Sequence, residues 1–255
     1  MSALAGLRLA VGTLTTFPVG EVGVVDRRTA AWAMTLAPVA VLPVTVPAVL
    51  IMVIGQWLQA PGLLIGLLII GWLALGTRAM HLDGLADTVD GLGASLRPER
   101  VQQVMKSGDV GPMGVVALII TLGLQAVGLA EVAAKPYAPV VVLILICSSR
   151  AALAISCLAG IPVASWSTLG RMVVGTVTWP RATAVVLLTA AALTGAALLG
   201  QIPWWWALIS TVLVVATPLT LARTAARRLG GMSGDVLGAG VELTLTTLLV
   251  IWALS

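Results

Sequence analysis

Charge is scarce in this chain. Asp, Glu, Lys and Arg together make up 9% of its 255 residues, against about a quarter in a soluble globular domain. Such a chain cannot cover its surface in water. Histidine occurs once and cysteine twice. A single histidine excludes a His-rich zinc site and leaves no convincing Ser-His-Asp arrangement. Cys147 and Cys157 fall in one apolar run, where free cysteine behaves as a small hydrophobe. No Walker sequence and no secretory signal are visible. Residues 1–19 carry one Arg, Arg8, and an apolar run interrupted by Thr13, Thr15, Thr16 and Pro18. That segment is expected to be an interfacial helix rather than a crossing.

What is present is apolar: 59% of residues, with a mean hydropathy of +1.08. Apolar runs fall near 31–54, 61–79, 113–132, 138–159, 183–200, 203–222 and 237–254, each close to the roughly 20 residues that span a bilayer. The expectation is an all-α, polytopic integral membrane protein of about seven transmembrane helices plus the N-terminal interfacial helix. No repeat and no composition shift divides it, so residues 1–255 read as one domain. With seven crossings, Arg8, Arg27, Arg28, Arg78, Arg97, Arg100, Lys106, Arg171, Arg181, Arg223, Arg227 and Arg228 gather on one side. Only Lys135 lies on the other, and Arg150 sits inside the fourth run. By the positive-inside rule the N-terminus and long loops are cytoplasmic and the C-terminus is outside the cell membrane. The net charge of +4 therefore reads as orientation, not as nucleic-acid binding. Trp204–Trp206, beside Pro203, suit an outer aromatic belt.

The acidic residues are the next signal. Three lie within His81-Leu-Asp-Gly-Leu-Ala-Asp-Thr-Val-Asp-Gly91. On a helix, Asp83, Asp87 and Asp90 fall within roughly 60° of one another. No basic residue lies between Arg78 and Arg97 to neutralise them, and acidic groups beside a membrane span are costly and usually functional. A bound divalent cation is the better solution. Carboxylate oxygens suit Mg²⁺, with Mn²⁺ as a substitute, and have little attraction for Zn²⁺. Gly84 and Gly91 would let a ligand or another helix approach the backbone. The plain alternative is a solvated acidic face with Arg partners.

A second cluster, Gly230-Gly-Met-Ser-Gly-Asp-Val-Leu-Gly-Ala-Gly-Val-Glu242, puts Asp235 and Glu242 on one helix face, Glu242 about 10 Å deeper. Asp235 could complete the metal site, while Glu242 could equally be a hydrogen-bonded structural acid. The glycines also suit close helix packing. A third element, Met105-Lys-Ser-Gly-Asp-Val-Gly-Pro-Met-Gly114, leads into the third run. It reads either as a loop and helix start or as an anion cradle, with Gly111 and Gly114 offering backbone N–H groups and Lys106 adding charge. Arg150, inside an apolar run, needs a carboxylate or phosphate partner. Together these features suggest metal-assisted phosphoryl-type transfer on one membrane face.

The first motif closely resembles the signature of the cobalamin synthase (CobS) family, adenosylcobinamide-GDP ribazoletransferases. The Gly230–Ala239 stretch with Glu242, the Met-Lys-x-x-x-x-Gly-x-x-Gly loop and the Ser149-Arg150 pair follow in the family's order, so the resemblance covers the whole chain. One position departs: Ser107-Gly108 stands where many members have Asp-Ser, with Asp109 just beyond. The resemblance implies that α-ribazole or its 5′-phosphate attacks the pyrophosphate of adenosylcobinamide-GDP, releasing GMP, with Mg²⁺ as cofactor. It implies Asp83, Asp87 and Asp90 as metal ligands, one accepting the attacking hydroxyl's proton. Asp235 would be a further ligand or base, with Glu242 joining or supporting the metal set. Lys106, Arg150 and Arg97 would balance phosphate charge, with His81, Gly111 and Gly114 in the substrate-binding set. Membrane lipid is the expected surroundings, and self-association into a homo-oligomer is left open. Two other readings are weaker. A CDP-alcohol phosphotransferase would need Arg where Ser95 stands, followed by two further spaced acids that are missing. A cation or proton transporter is disfavoured by the lack of a repeat and by acids crowded on one face.

Overall fold

The computed structural model describes residues 3–94, 105 and 109–255. Arg97 and Lys106 lie outside the described residues. The elements in order are α1 (Ala3–Leu14), α2 (Arg27–Thr35), α3 (Ala37–Ala40), α4 (Leu42–Trp57), α5 (Gly62–Gly76), α6 (Met80–Ala94) and α7 (Pro112–Ala133). They are followed by α8 (Ala138–Ser149), α9 (Ala151–Ser156), α10 (Thr168–Val173), α11 (Trp179–Leu199), α12 (Trp204–Arg228) and α13 (Gly234–Ala253). The described protein is all-α apart from two isolated β-bridges.

Five spans are long and apolar enough to cross a membrane: α7, α8 continued by α9, α11, α12 and α13. They match the last five sequence runs closely. The first two runs differ, so the expected count of seven is not reproduced. The run 31–54 breaks into α2, α3 and the 16-residue α4. Pro38 and Pro43 open the first turns of α3 and α4, where a missing N–H does no harm, but neither can continue a helix from before it. The run 61–79 becomes the 15-residue α5, about 22 Å long at 1.5 Å per residue, shorter than the roughly 30 Å hydrocarbon core. After it, Arg78 and Ala79 take left-handed φ values of 56° and 52°, and α6 departs at 91°. Counted as one bent crossing, α5 and α6 would make six spans.

Burial follows the bundle. The central helices α13 and α8–α9 are largely covered by protein, while α7, α11 and α12 are mostly peripheral. Their outer faces carry Val116, Ile119, Leu187, Leu188, Leu208 and Val212, all exposed, an apolar surface suited to lipid. Small residues let α5 and α7 approach: a Cβ on Gly66 would stand 2.6 Å from the Ala126 carbonyl oxygen. The N-terminal helix α1 is not free at an interface along its length. It packs on α2, with Gly6 pressed against Trp32, and buries Ala10 and Leu14.

Candidate active site

The site is assembled where α6 lies across the N-terminal ends of α7 and α13, at one end of the bundle. Glycine makes this possible at Gly84, where a Cβ would stand 2.6 Å from the Asp235 carbonyl oxygen and 2.9 Å from its Cα. Gly238 of α13 in turn accepts the backbone of His81, a Cβ there lying 3.1 Å from the His81 Cα. The start of α13 is fixed by its preceding turn. Gly230 and Gly231 have φ of 80° and 136°, in the region that favours glycine. Met232 then exchanges backbone hydrogen bonds with Pro162 and Ala164 at 2.9 and 3.0 Å. Ser233 caps the helix by accepting the Val236 N–H at 3.3 Å and donates to Asp235 Oδ2 at 3.2 Å.

This packing gathers Asp83 (exposed), Asp87 and Asp235 (both half-buried). Burial pushes the Asp87 carboxyl up to about 6, reinforced by the negative charges of Asp83, Asp235 and Asp90. Among the described residues, none of the three has a Lys or Arg within ion-pair distance. The result is concentrated, uncompensated negative charge with oxygen donors only, which fits a hard divalent cation such as Mg²⁺ or Mn²⁺ by donor chemistry. The cage is not preformed: among the described residues, no three acidic, His or Cys side chains stand close enough to hold an ion as arranged.

Asp90 does something different. Its Oδ2 accepts the Gly111 N–H at 2.7 Å and its Oδ1 the Gly114 N–H at 2.9 Å. These are the N-cap and third residues of α7, so the carboxylate satisfies two otherwise orphaned donors and meets the positive end of the helix dipole. The anion at the Gly111–Gly114 cradle is thus the chain's own Asp90. Both glycines are required, since a Cβ on either would stand 2.5 Å or less from that carboxylate.

Glu242 and Arg150 are brought together, but away from the three other acids. Arg150 lies between α8 and α9, 1% exposed, and its Nη1 donates to Ser149 Oγ at 2.7 Å and to the Ile146 carbonyl at 3.3 Å. Glu242 Oε2 accepts from Gln125 Nε2 at 2.8 Å, and Gln125 also donates to Thr246 Oγ1 at 3.0 Å. Arg150, Glu242 and Gln125 line one small internal space. His81 closes this group, its Nδ1 4.0 Å from Glu242 Oε1. As folded, then, Arg150 and Glu242 serve a buried network inside the bundle, the structural-acid alternative open in the sequence. Gln125 was not foreseen, although a lone Gln in an apolar span carries the same signal as the Arg.

Beside Asp83 and Asp235 lies a cavity of about 360 Å³. It is walled by α1, α2, the 166–173 region, Met80 and Met105, and lies within the size range of small-molecule sites. Its apolar walls were also missed, because they come from segments far apart in sequence that carry no motif.

Comparison with known proteins gives one consistent result. Residues 6–253 match the family described as Cobalamin-5-phosphate synthase. The chain is 43% identical over 248 residues to an adenosylcobinamide-GDP ribazoletransferase of Nocardioides sp., covering 96% of this chain and 97% of the relative. The proteins of the same name from Halorubrum lacusprofundi and Bradyrhizobium diazoefficiens are 35% and 34% identical. They cover 94% and 93% of this chain, and 93% and 89% of their own lengths. No solved structure matches.

Proposed function

Since the chain belongs to the cobalamin-5-phosphate synthase family, we propose that it joins α-ribazole, or its 5′-phosphate, to adenosylcobinamide-GDP with release of GMP. The observation that carries this reading is the group Asp83, Asp87 and Asp235, uncompensated among the described residues, at the edge of a partly open cavity. The reaction is a substitution at phosphorus. A ribose hydroxyl oxygen bonds to the corrinoid-side phosphorus, the bond from that phosphorus to the bridging oxygen breaks, and GMP leaves. The hydroxyl proton passes to a carboxylate, and Asp87 or Asp235 is the proposed acceptor.

Asp83, Asp87 and Asp235 would hold Mg²⁺, which when bound neutralises charge on the phosphate oxygens. Asp90 acts through α7, holding the start of that helix against α6. Lys106 and Arg97 are the cations proposed to face the phosphates. Arg150 is assigned to the support of α13 through Glu242. The site faces the cytoplasm of a multi-pass cell-membrane protein in this reading, since the basic loops share its end of the bundle.

The test uses purified protein in nanodiscs with adenosylcobinamide-GDP, α-ribazole and Mg²⁺, following GMP and corrinoid product by mass. Product should vanish with EDTA, and Asp87→Asn should lower kcat by at least about a hundredfold, the scale of losing an acid–base group. Undiminished turnover under EDTA would remove the metal. No product with either ribazole form would remove the reaction.

A further inference from the structure

The cavity beside the acidic group is chemically lopsided. Asp83 and Asp235 border it on the side of α6 and α13, while Met34, Met80, Met105, Met172, Trp166 and Leu169 supply much of the remaining wall. Four methionines and a tryptophan around one space make a soft, polarisable surface, suited to the faces and edges of a flat ring. Among the described residues no Lys or Arg lines it. The diphosphate belongs with the metal proposed at the acidic edge rather than among these apolar walls, and a corrin ring with its amide arms is far too large for about 360 Å³. Guanine and adenine of the other substrate are flat as well, but their edges carry N–H, amino and carbonyl groups that methionine, leucine and valine walls leave unpaired, whereas the methylated benzimidazole of α-ribazole presents apolar edges to them.

We propose that this cavity is the base-binding subsite, holding the flat heteroaromatic base of the attacking nucleoside between Trp166 and the methionines. The inference rests on the reaction proposed above. It adds a direction to it: with the base buried among α1, α2 and α10, the ribose projects toward Asp83 and Asp235, where its hydroxyl must lose a proton. Among the described residues six helices share the wall, and four of them, α1, α2, α9 and α10, lie outside the pair that carries the acids. The N-terminal helix thereby acquires a part in substrate selection through Leu9 and Leu14.

The test compares α-ribosides of dimethylbenzimidazole, benzimidazole and imidazole as acceptors, at saturating adenosylcobinamide-GDP. Burial of the two methyl groups should lower KM about tenfold, from roughly 0.8 kcal/mol per buried carbon and 1.4 kcal/mol per tenfold. Loss of the fused ring should raise it further. Trp166→Ala and Met172→Ala should raise KM for α-ribazole at least about fivefold, leaving kcat and the KM for adenosylcobinamide-GDP within about twofold. Met172→Leu, similar in volume, should restore the wild-type KM. Because Trp166→Ala could fail to fold, free dimethylbenzimidazole is also tested on the wild-type protein. It should inhibit competitively against α-ribazole and not against adenosylcobinamide-GDP. A KM indifferent to base size overturns the proposal while leaving the reaction intact. So do variants that shift only the corrinoid KM, or that change only the response to nanodisc lipid, which would make the cavity an acyl-chain site. A wild-type protein that turns over none of the nucleosides overturns the proposal together with the reaction it rests on.

Discussion

Asp87 and Asp90 stand three positions apart on one helix, yet their surroundings assign them opposite work. Asp90 is buried with both oxygens bonded to N–H donors of α7, so it ties two helices together. Asp87 is half-buried among other carboxylates, and its ionised form is opposed by them. Replacement should separate the two. Asp90→Ala removes two charge-assisted hydrogen bonds and should cost about 1.5–3 kcal/mol, seen as a lower apparent melting temperature in nanodiscs. Asp87→Asn should leave that temperature unchanged or raise it, while turnover is lost. Equal destabilisation by both changes would mean that Asp87 is also a structural residue.

The same residue sets a pH dependence. With its folded carboxyl raised to about 6 from 3.8, Asp87 contributes stability that is complete below 3.8 and is lost as pH rises through about 6. Metal binding runs the other way, because only the carboxylate is a ligand. Mn²⁺ affinity, followed by electron paramagnetic resonance, should rise with pH up to about 6 and level off above it. In Asp87→Asn that rise should disappear. An unchanged profile in the variant would place the titrating ligand elsewhere.

At the scale of elements, the contact of α6 with α13 decides whether the acids meet at all. Gly84 lets the Asp235 backbone approach to a distance no Cβ permits, and backbone on that side cannot yield as a flexible side chain would. Gly84→Val should therefore reduce folded protein and abolish turnover, whereas Gly71→Val, with nothing within 4 Å of its added Cβ, should be tolerated. The sequence pattern conveys part of this. The acidic stripe, the glycine spacing and the last five spans were legible because helix period and hydropathy act locally. The break of 31–54 falls at Pro38 and Pro43, but its form depends on how α2 and α3 pack against α1 and α9. The separation of Asp90 from its neighbours was not legible, because its partners arrive from another helix start 21 and 24 residues away. Arg150 and Glu242 were each legible as a buried charge in need of a partner, but not as one network, since only tertiary packing brings Gln125 of α7 onto Glu242 of α13.

For the whole molecule, the two ends of the bundle differ in chemistry. At the acidic end, Arg78 donates to the Gly12 carbonyl, Arg27 to that of Gly175 and Arg228 to that of Leu92, at 3.1, 3.1 and 3.0 Å. At the other end, Gln56 donates to the Ala133 carbonyl at 2.8 Å and Lys135 reaches Ser255 at the C-terminus. Basic side chains thus tie together the loops that surround the acids, and the proposed orientation, which follows the positive-inside rule, has that end in the cytoplasm. Nucleotide-linked substrates would be made there as well, so topology and proposed chemistry stand or fall together. Single-cysteine variants in a Cys147→Ala, Cys157→Ala background test this with a membrane-impermeant maleimide. Gln59→Cys, exposed between α4 and α5, should be labelled in spheroplasts. Asp109→Cys and Arg227→Cys, exposed at the acidic end, should react only after the membrane is opened. The reverse pattern would turn the acids outward, away from any supply of guanosine-linked substrate, and would sink the proposed reaction along with the orientation.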